Sequence, residues 1–406
     1  MRILLVNSFY YLRGGDCAHV MALEKLLTAR GHDVAVFAMH HPENESSPWM
    51  IYWASNIEYR GEDGAVQSVR AAFRSVRSGQ TARRLGYLLD AFQPDVVHMH
   101  GIHHHLTLSV IEEAKRRGLP VVWTLHDYRT VCPATHCLRD GRPCERCASG
   151  RFWEGLLGRC KSSSLARSSA AVFESYVTRL RGSLRLVDCY LAPSLFLADV
   201  VTRMGLPAER IEVMPNWYEP PDDDAPPGES ASRSGILFVG RVSQEKGLDC
   251  LIEACRGLTD TTLRVIGDGP LREDLQSRTS RLPVRASFDG WQDEVSVLAA
   301  MKKAQLLCVP SVWYENCPIV VLEAISARLP VMASDLGGLS ELLDNGRCGW
   351  LVPPGDSGAW RDAIRQALSD PAARETFSER ARDGLLERHD PARYMASLEC
   401  VYESVC

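Results

Sequence analysis

The sequence predicts an α/β protein made of two doubly wound domains, each a parallel sheet covered by helices on both faces. Three observations carry that expectation. The chain has 406 residues, more than one hydrophobic core usually organises. Short apolar runs of strand length alternate with helix-length stretches, as they do where a parallel sheet is buried on both sides. The alternation then stops at a proline-rich joint and starts again.

The first series opens with a strand from Ile3 to Val6, the turn Gly14-Gly15, an apolar-periodic helix from Val20 to Leu27 and a strand from Val34 to Phe37. Strands follow at Asp95 to His98, Val121 to Thr124 and Cys189 to Ala192. The second series runs through Gly235 to Gly240, Leu263 to Ile266, Leu306 to Val309, Val331 to Ala333 and Trp350 to Val352. Between them lies Pro215-Asn216-Trp217-Tyr218-Glu219-Pro220-Pro221, then Asp222, Asp223 and Asp224, which is linker chemistry. The boundary falls near residue 216. Proline-rich surroundings give the acidic triplet no rigid frame for a metal, so it reads as a solvated linker. Two such domains facing each other would put the carboxyl ends of both sheets around a central cleft, where ligands bind in doubly wound folds.

Composition excludes little but sets the setting. The hydrophobic fraction is 45% and the charged fraction 24%, ordinary for a globular domain. A net charge of −5 gives no reason to expect nucleic acid as a partner. The apolar run at the N-terminus is too short for a signal peptide and no stretch has the length of a membrane span, so a cytoplasmic protein with reduced cysteines is expected.

Candidate chemistry clusters on loops that follow strands. Arg241 and Lys246, five residues apart after the strand ending at Gly240, offer a guanidinium fork and a point charge, which suit a diphosphate. An exposed basic loop would read the same. In Trp313-Tyr314-Glu315-Asn316-Cys317-Pro318-Ile319-Val320-Val321-Leu322-Glu323, proline suits the first turn of a helix, so Glu315 falls on the loop and Glu323 within the helix. Amides at that helix start, around Ile319 and Val320, can receive a phosphate, and two carboxylates flanking it can accept hydroxyl protons. Gly14 and Gly15 offer close backbone approach before a helix, but neither a G-x-G-x-x-G fingerprint nor a P-loop is present. His126-Asp127-Tyr128 ends another strand. The run from His98 to His105 holds five histidines; a loop lining an acceptor pocket through His100 and Gly101 is the reading preferred to a metal site.

A glutamate, seven residues and a second glutamate, preceded by FVGRVSQEKG and followed by LPVMASDLGGLSELL and GWLVPPGD, resembles the family 4 glycosyltransferases of the two-domain GT-B architecture. The resemblance spans nearly the whole chain, with the motifs in the expected order. It implies two Rossmann-like domains, 1–215 with a terminal helix at 391–406 crossing back, and 216–390 as the nucleotide-sugar domain. It implies that Arg241 and Lys246 bind the donor diphosphate, that Glu315 contacts the transferred sugar and that Glu323 holds the ribose hydroxyls. Asn316 and Cys317 would offer the sugar backbone amides; Pro318, where the family commonly has glycine, has none to offer. Gly267, Asp268 and the Gly290-Trp291 step resemble the loops around base and ribose, Gly14 and Gly15 the loop beneath the phosphates, and His126 the active-site histidine, with Tyr128 beside it in the acceptor pocket. The implied reaction is transfer of a hexose-type sugar from a nucleoside diphosphate, uridine preferred to guanosine, to a glycan, glycolipid or small molecule. It retains anomeric configuration and needs no metal, the diphosphate charge falling to Arg241, Lys246 and amides. A non-catalytic nucleotide-sugar-binding partner or an epimerase of the same architecture is the alternative.

Two features lie outside that machinery. Cys132, Cys137, Cys144, Cys147 and Cys160 crowd the segment after His126, with Cys144 and Cys147 at structural zinc spacing. Similarity to relatives with the same HDY loop favours Cys132, Cys144, Cys147 and Cys160 as the ligand set; plain buried thiols are the other reading. Five arginines, Arg70, Arg74, Arg77, Arg83 and Arg84, stand between Val66 and Gly86 with no acid, and seven basic residues oppose three acids from Arg151 to Tyr190. Either an anionic membrane face or solvated helices would use them.

Overall fold

A computed structural model describes residues 1–56, 78–103, 105–219, 233–258 and 260–406. The chain divides into two compact units. Unit 1 comprises Met1–Cys137, Cys144–Met214 and Ala392–Cys406; unit 2 comprises Pro215–Pro391 and the short segment Leu138–Pro143. The arginines at 70, 74 and 77, the acidic triplet at 222–224 and His104 lie outside the described residues.

Strands β1 (Arg2–Val6), β2 (Asp33–Phe37), β3 (Val96–Met99) and β4 (Val121–Thr124) come first, then a hairpin of β5 (Leu138–Arg139) and β6 (Arg142–Pro143), then β7 (Cys189–Ala192) and β8 (Ile211–Val213). The sheet of unit 1 has the order β2-β1-β3-β4-β7-β8, and every pairing is parallel. Growth of the sheet reverses direction between β1 and β3, which makes that edge-to-edge step its topological switch point. The helix Pro391–Val405 buries Tyr394, Met395, Leu398 and Tyr402, one helical face. Its Tyr402 hydroxyl meets His98 Nδ1 at 2.7 Å, and Glu399 takes Arg30 at 2.7 Å and His32 at 2.9 Å.

Unit 2 holds β9 (Ile236–Val239), β10 (Leu263–Ile266), β11 (Ala286–Gly290), β12 (Leu306–Val309), β13 (Val331–Ser334) and β14 (Trp350–Val352). Their order is β11-β10-β9-β12-β13-β14, again all parallel, with the reversal between β9 and β12. The two-residue pleat sends Leu237, Leu307 and Val309 into one core and Ile236, Phe238, Leu306 and Cys308 into another. Strands β9 and β12 are in register only at Ile236–Leu306 and Leu237–Leu307. They part toward their carboxyl ends, and the loops leaving them have room between them.

The α/β expectation holds, and all ten strands read from apolar runs are present within a residue or so at each end. Not anticipated were β8, β11 and the hairpin. The first two are outer strands, and their residues are mostly exposed or half-buried. An outer strand carries little of the apolar signal that marks a central one.

Candidate active site

In unit 2 the chemistry gathers where β9 and β12 diverge. Lys246 follows β9 and Glu315 follows β12; Lys246 Nζ lies 2.6 Å from Glu315 Oε1. Ser311 Oγ donates to the same oxygen at 2.6 Å, and the Trp313 ring lies 5.3 Å beneath the ammonium. Glu315 is buried. Burial alone would raise its pKa, but the Lys246 charge and the hydrogen bonds from Lys246 and Ser311 outweigh it and hold the carboxyl below its ordinary value. It is a fixed anion. Arg241, by contrast, is exposed at the mouth of the same loop.

Two glycines let these loops touch. Gly247 has φ +66°, and a Cβ there would sit 2.0 Å from the Pro310 carbonyl oxygen, so only glycine brings the Lys246 loop against the end of β12. A Cβ on Gly338 would lie 1.7 Å from the Asn316 oxygen, and the Gly338 N–H donates to Glu315 O at 2.7 Å. Pro318 stands one place before the helix Ile319–Ser326, as its cap rather than in its first turn. Val320 and Ile319 open that helix, and Glu323 is in its second turn, with Cys317 buried and Asn316 half-buried before it. Burial, with some help from Glu294, pushes the Glu323 pKa up to about 7. The two glutamates therefore differ: Glu315 is ionised throughout the neutral range, and Glu323 gains or loses its proton within it.

The outer loops of the same sheet edge zip together. The Gly240 N–H donates to Ile266 O at 3.0 Å, Val242 to Asp268 O at 2.9 Å and Gly267 to Gly290 O at 2.7 Å. Asp268 is exposed and paired with Arg272 at 3.1 Å. Trp291 is 73% exposed, an indole left facing solvent beside these glycines.

In unit 1 the corresponding position is filled by imidazoles. Gly14 precedes the helix Gly15–Ala29, and a Cβ on Gly15 would meet nothing within 4 Å among the described residues. The Gly101 N–H donates to Asn7 Oδ1 at 2.8 Å, and a Cβ on Gly101 would approach Asp16 Oδ2 to 2.7 Å, so the loops after β1 and β3 are pressed together. His100 Nδ1 lies 3.1 Å from His126 Nε2. His19, on the buried face of the glycine-loop helix, places its ring 5.0 Å from that of His126 and 5.5 Å from that of His100. Behind them His98 packs on His100 at 4.2 Å and bonds Thr124 at 2.8 Å. Desolvation, then mutual repulsion, lowers the pKa of His19 and His100 well below the ordinary value and that of His98 to about 3; desolvation also lowers His126, against an upward pull from Asp16.

Tyr128 is not the pocket residue expected. It is fully buried, and its backbone closes the turn after His126, donating to Thr135 O at 3.2 Å and accepting from Cys132 at 2.7 Å. Sequence reading also passed over His19, Ser311 and Gly338. A histidine directly before Val20 and four residues before Leu23, on the apolar face of its helix, was the signal for the first; the others stand beside a strand end and a helix start, where nothing local in the sequence marks them.

Of the expected zinc set, Cys147 is raised to about 12 by burial and then by the neighbouring thiols Cys132, Cys144 and Cys160, so the four share one neighbourhood. Cys132, however, takes a hydrogen bond from Cys137, which lowers its pKa to about 6. Among the described residues the His/Cys/Asp/Glu group whose ligand atoms all approach within 4.8 Å is His19, His100 and His126, not the cysteines.

The sequence of unit 2 matches the family model of glycosyl transferases group 1 over residues 222–384, and residues 13–220 match that of glycosyltransferase family 4. The chain belongs to the family 4 glycosyltransferases. It is 27% identical to the phosphatidyl-myo-inositol mannosyltransferase of Mycobacterium leprae, over all of this chain and 97% of that one. It is 29% identical to the glycogen synthase of Mycobacterium tuberculosis, over 96% and 91%. In fold it resembles Anabaena HepE in complex with UDP, with a TM-score of 0.65, 17% identity and full coverage of both chains. As a family 4 enzyme it has the GT-B type of fold, with two Rossmann-like sheets, and the glycosyltransferase activity that its motifs imply.

Proposed function

We propose that this glycosyltransferase moves a hexose-type sugar from a UDP-sugar, with retention and without a catalytic metal, to a glycan, glycolipid or small-molecule acceptor. The observation that carries the reading is the Lys246–Glu315 pair at the switch point of unit 2. As the glycosidic bond to the diphosphate breaks, negative charge grows on the leaving oxygens. Lys246, Arg241 and the first amides of the Ile319–Ser326 helix supply positive potential for it without a divalent ion. Glu315, kept ionised, accepts from sugar hydroxyls, and Glu323 accepts from the ribose. His126 is neutral and serves as a hydrogen-bonding group on the reacting sugar, with His100 and Gly101 beside it.

The acceptor reading draws on a cavity of about 550 Å³ within unit 1, whose walls include Arg129, Arg179, Arg185 and Arg210. Arg129 is neutralised by Glu174 at 2.5 Å; the other three outnumber Glu209, the second acid in the wall, and the basic balance suits an anionic acceptor. Nearby, Trp153, Leu157, Leu165 and Leu180 are exposed among Arg151, Arg167, Arg179 and Arg181, which suits the inner face of an anionic membrane for a protein working in the cytoplasm. Among the described residues no helix is long and apolar enough to cross a membrane.

The test is product analysis. Purified protein with a panel of UDP- and GDP-hexoses and a lipid or glycan extract should consume a UDP-hexose only when acceptor is present and release UDP. Proton NMR of the product should show the donor's anomeric configuration, and EDTA should not lower the rate. Conversion of the donor without acceptor, inversion, or loss of activity in EDTA would each overturn its part of the proposal.

A further inference from the structure

The histidine cluster of unit 1 is more than one active-site imidazole needs. Three chain segments deliver it: His19 from the helix after β1, His100 from the loop after β3 and His126 from the loop after β4. Their ligand nitrogens all lie within 4.8 Å of one another. The 3.1 Å between His100 Nδ1 and His126 Nε2 is close to the span of about 3.3 Å that two nitrogens bonded at 2.0–2.1 Å to one tetrahedral ion would have. His100 Nδ1 and His126 Nε2 share a hydrogen bond, but His100 Nε2 is buried with no hydrogen-bond partner among the described residues. The Asp16 carboxylate, pressed against Gly101, adds negative potential beside His126, which favours a cation there.

We propose that His19, His100 and His126 bind one divalent transition-metal ion of the zinc class, with a fourth coordination position open, and that the bound ion inhibits sugar transfer. Three imidazoles with an open position form a recognised zinc ligand set. Nitrogen ligands and no thiolate distinguish it from anything the cysteine cluster could hold. Inhibition rests on the reading of His126 given above: an ion on its imidazole takes the lone pair that would meet the reacting sugar.

The experiment uses the full chain, reduced and freed of metal, and reads binding apart from activity. Cobalt(II) should bind one equivalent and give the visible bands of a tetrahedral nitrogen site, without the near-ultraviolet band of a cobalt–thiolate bond. Zinc should displace it. Competition against a chromogenic chelator should show His19→Asn weakening zinc by about 100-fold or more, while Cys147→Ser leaves that affinity as it was. Thiolate absorption for the bound cobalt in the wild-type chain would overturn the site without recourse to any variant, as would absence of a bound ion. Equal affinity in His19→Asn would do the same. Zinc should also inhibit transfer at the concentration that fills the site. Filling without inhibition would overturn the inhibitory half and tell against His126 in catalysis, whereas no binding with normal transfer would leave the proposed reaction standing.

Discussion

At the switch point of unit 2 an ammonium meets a buried carboxylate at 2.6 Å; at that of unit 1 two ring nitrogens meet at 3.1 Å with a third imidazole beside them. Both are polar clusters at the carboxyl end of a parallel sheet, but burial acts on them in opposite ways. A carboxylate–ammonium pair stays charged because each charge is the other's solvent. Imidazoles desolvated beside one another are driven neutral. On the proposed reading one half meets a highly charged diphosphate and the other hydroxyl groups or a metal ion, and the electrostatic difference is a matter of partners rather than of depth.

Removing a partner should break the contrast most severely. On the proposed reading Lys246→Ala strips the leaving diphosphate of a cation, and it leaves Glu315 buried without its countercharge. Transfer should fall by about 10³-fold, and urea denaturation should show a loss of about 2 kcal/mol, below the usual cost of breaking a fully buried pair because Lys246 is partly exposed. Adding Glu315→Gln should return the stability and not the activity. Recovery of transfer in the double variant would mean that the pair is structural.

Acid should separate the halves next. His19, His98, His100 and His126 all have folded pKa values below the unfolded value of 6.5, so the folded chain binds fewer protons. Their stabilising effect is complete above that value and is lost as pH falls beneath it. Stability should therefore decline as the pH drops below 6.5. In chelator-treated protein, hydrogen exchange between pH 7 and 5.5 should rise in β3 and β4 before β9 and β12. Equal loss of protection in both sheets would remove the distinction.

Much of the fold and of the candidate site was legible in the sequence, because central strands and charged side chains on strand-end loops carry their own signal. Leu306 to Val309 could hardly be anything but a buried strand, and Glu315 to Glu323 announced both acids. What escaped depends on partners distant in sequence. Nothing local marks Ile211–Val213 as a strand, since its pairing with β7 supplies its structure. Tyr128 sits beside His126 in sequence, but the turn rotates it into the core. Gly338 matters only because Asn316 lies against it. Gly338→Ala is therefore a geometric test: the loop bearing Glu315 must shift, and kcat/KM should drop by about 10- to 100-fold with the charges intact. Unchanged kcat/KM would show that the loop tolerates displacement.

The smallest expected effect concerns Glu323, whose carboxyl runs against the behaviour of Glu315 within the same unit. Its folded pKa of about 7 stands above the ordinary 4.5, so the folded protein holds this proton more tightly than the unfolded chain. Stability linked to it is complete below pH 4.5 and is lost as pH rises through 7, the reverse of the histidines. Glutamine mimics the protonated form, so Glu323→Gln should be the more stable protein at pH 8, by about 2 kcal/mol, with the gap closing toward pH 4.5. Donor binding should move the other way. Ribose hydroxyls are better accepted by the carboxylate, so the donor KM of the wild type should fall severalfold from pH 6 to 8, while that of Glu323→Gln should stay high and flat over the same range. A flat wild-type profile alongside the stability difference would place the buried carboxyl in the fold but not on the ribose.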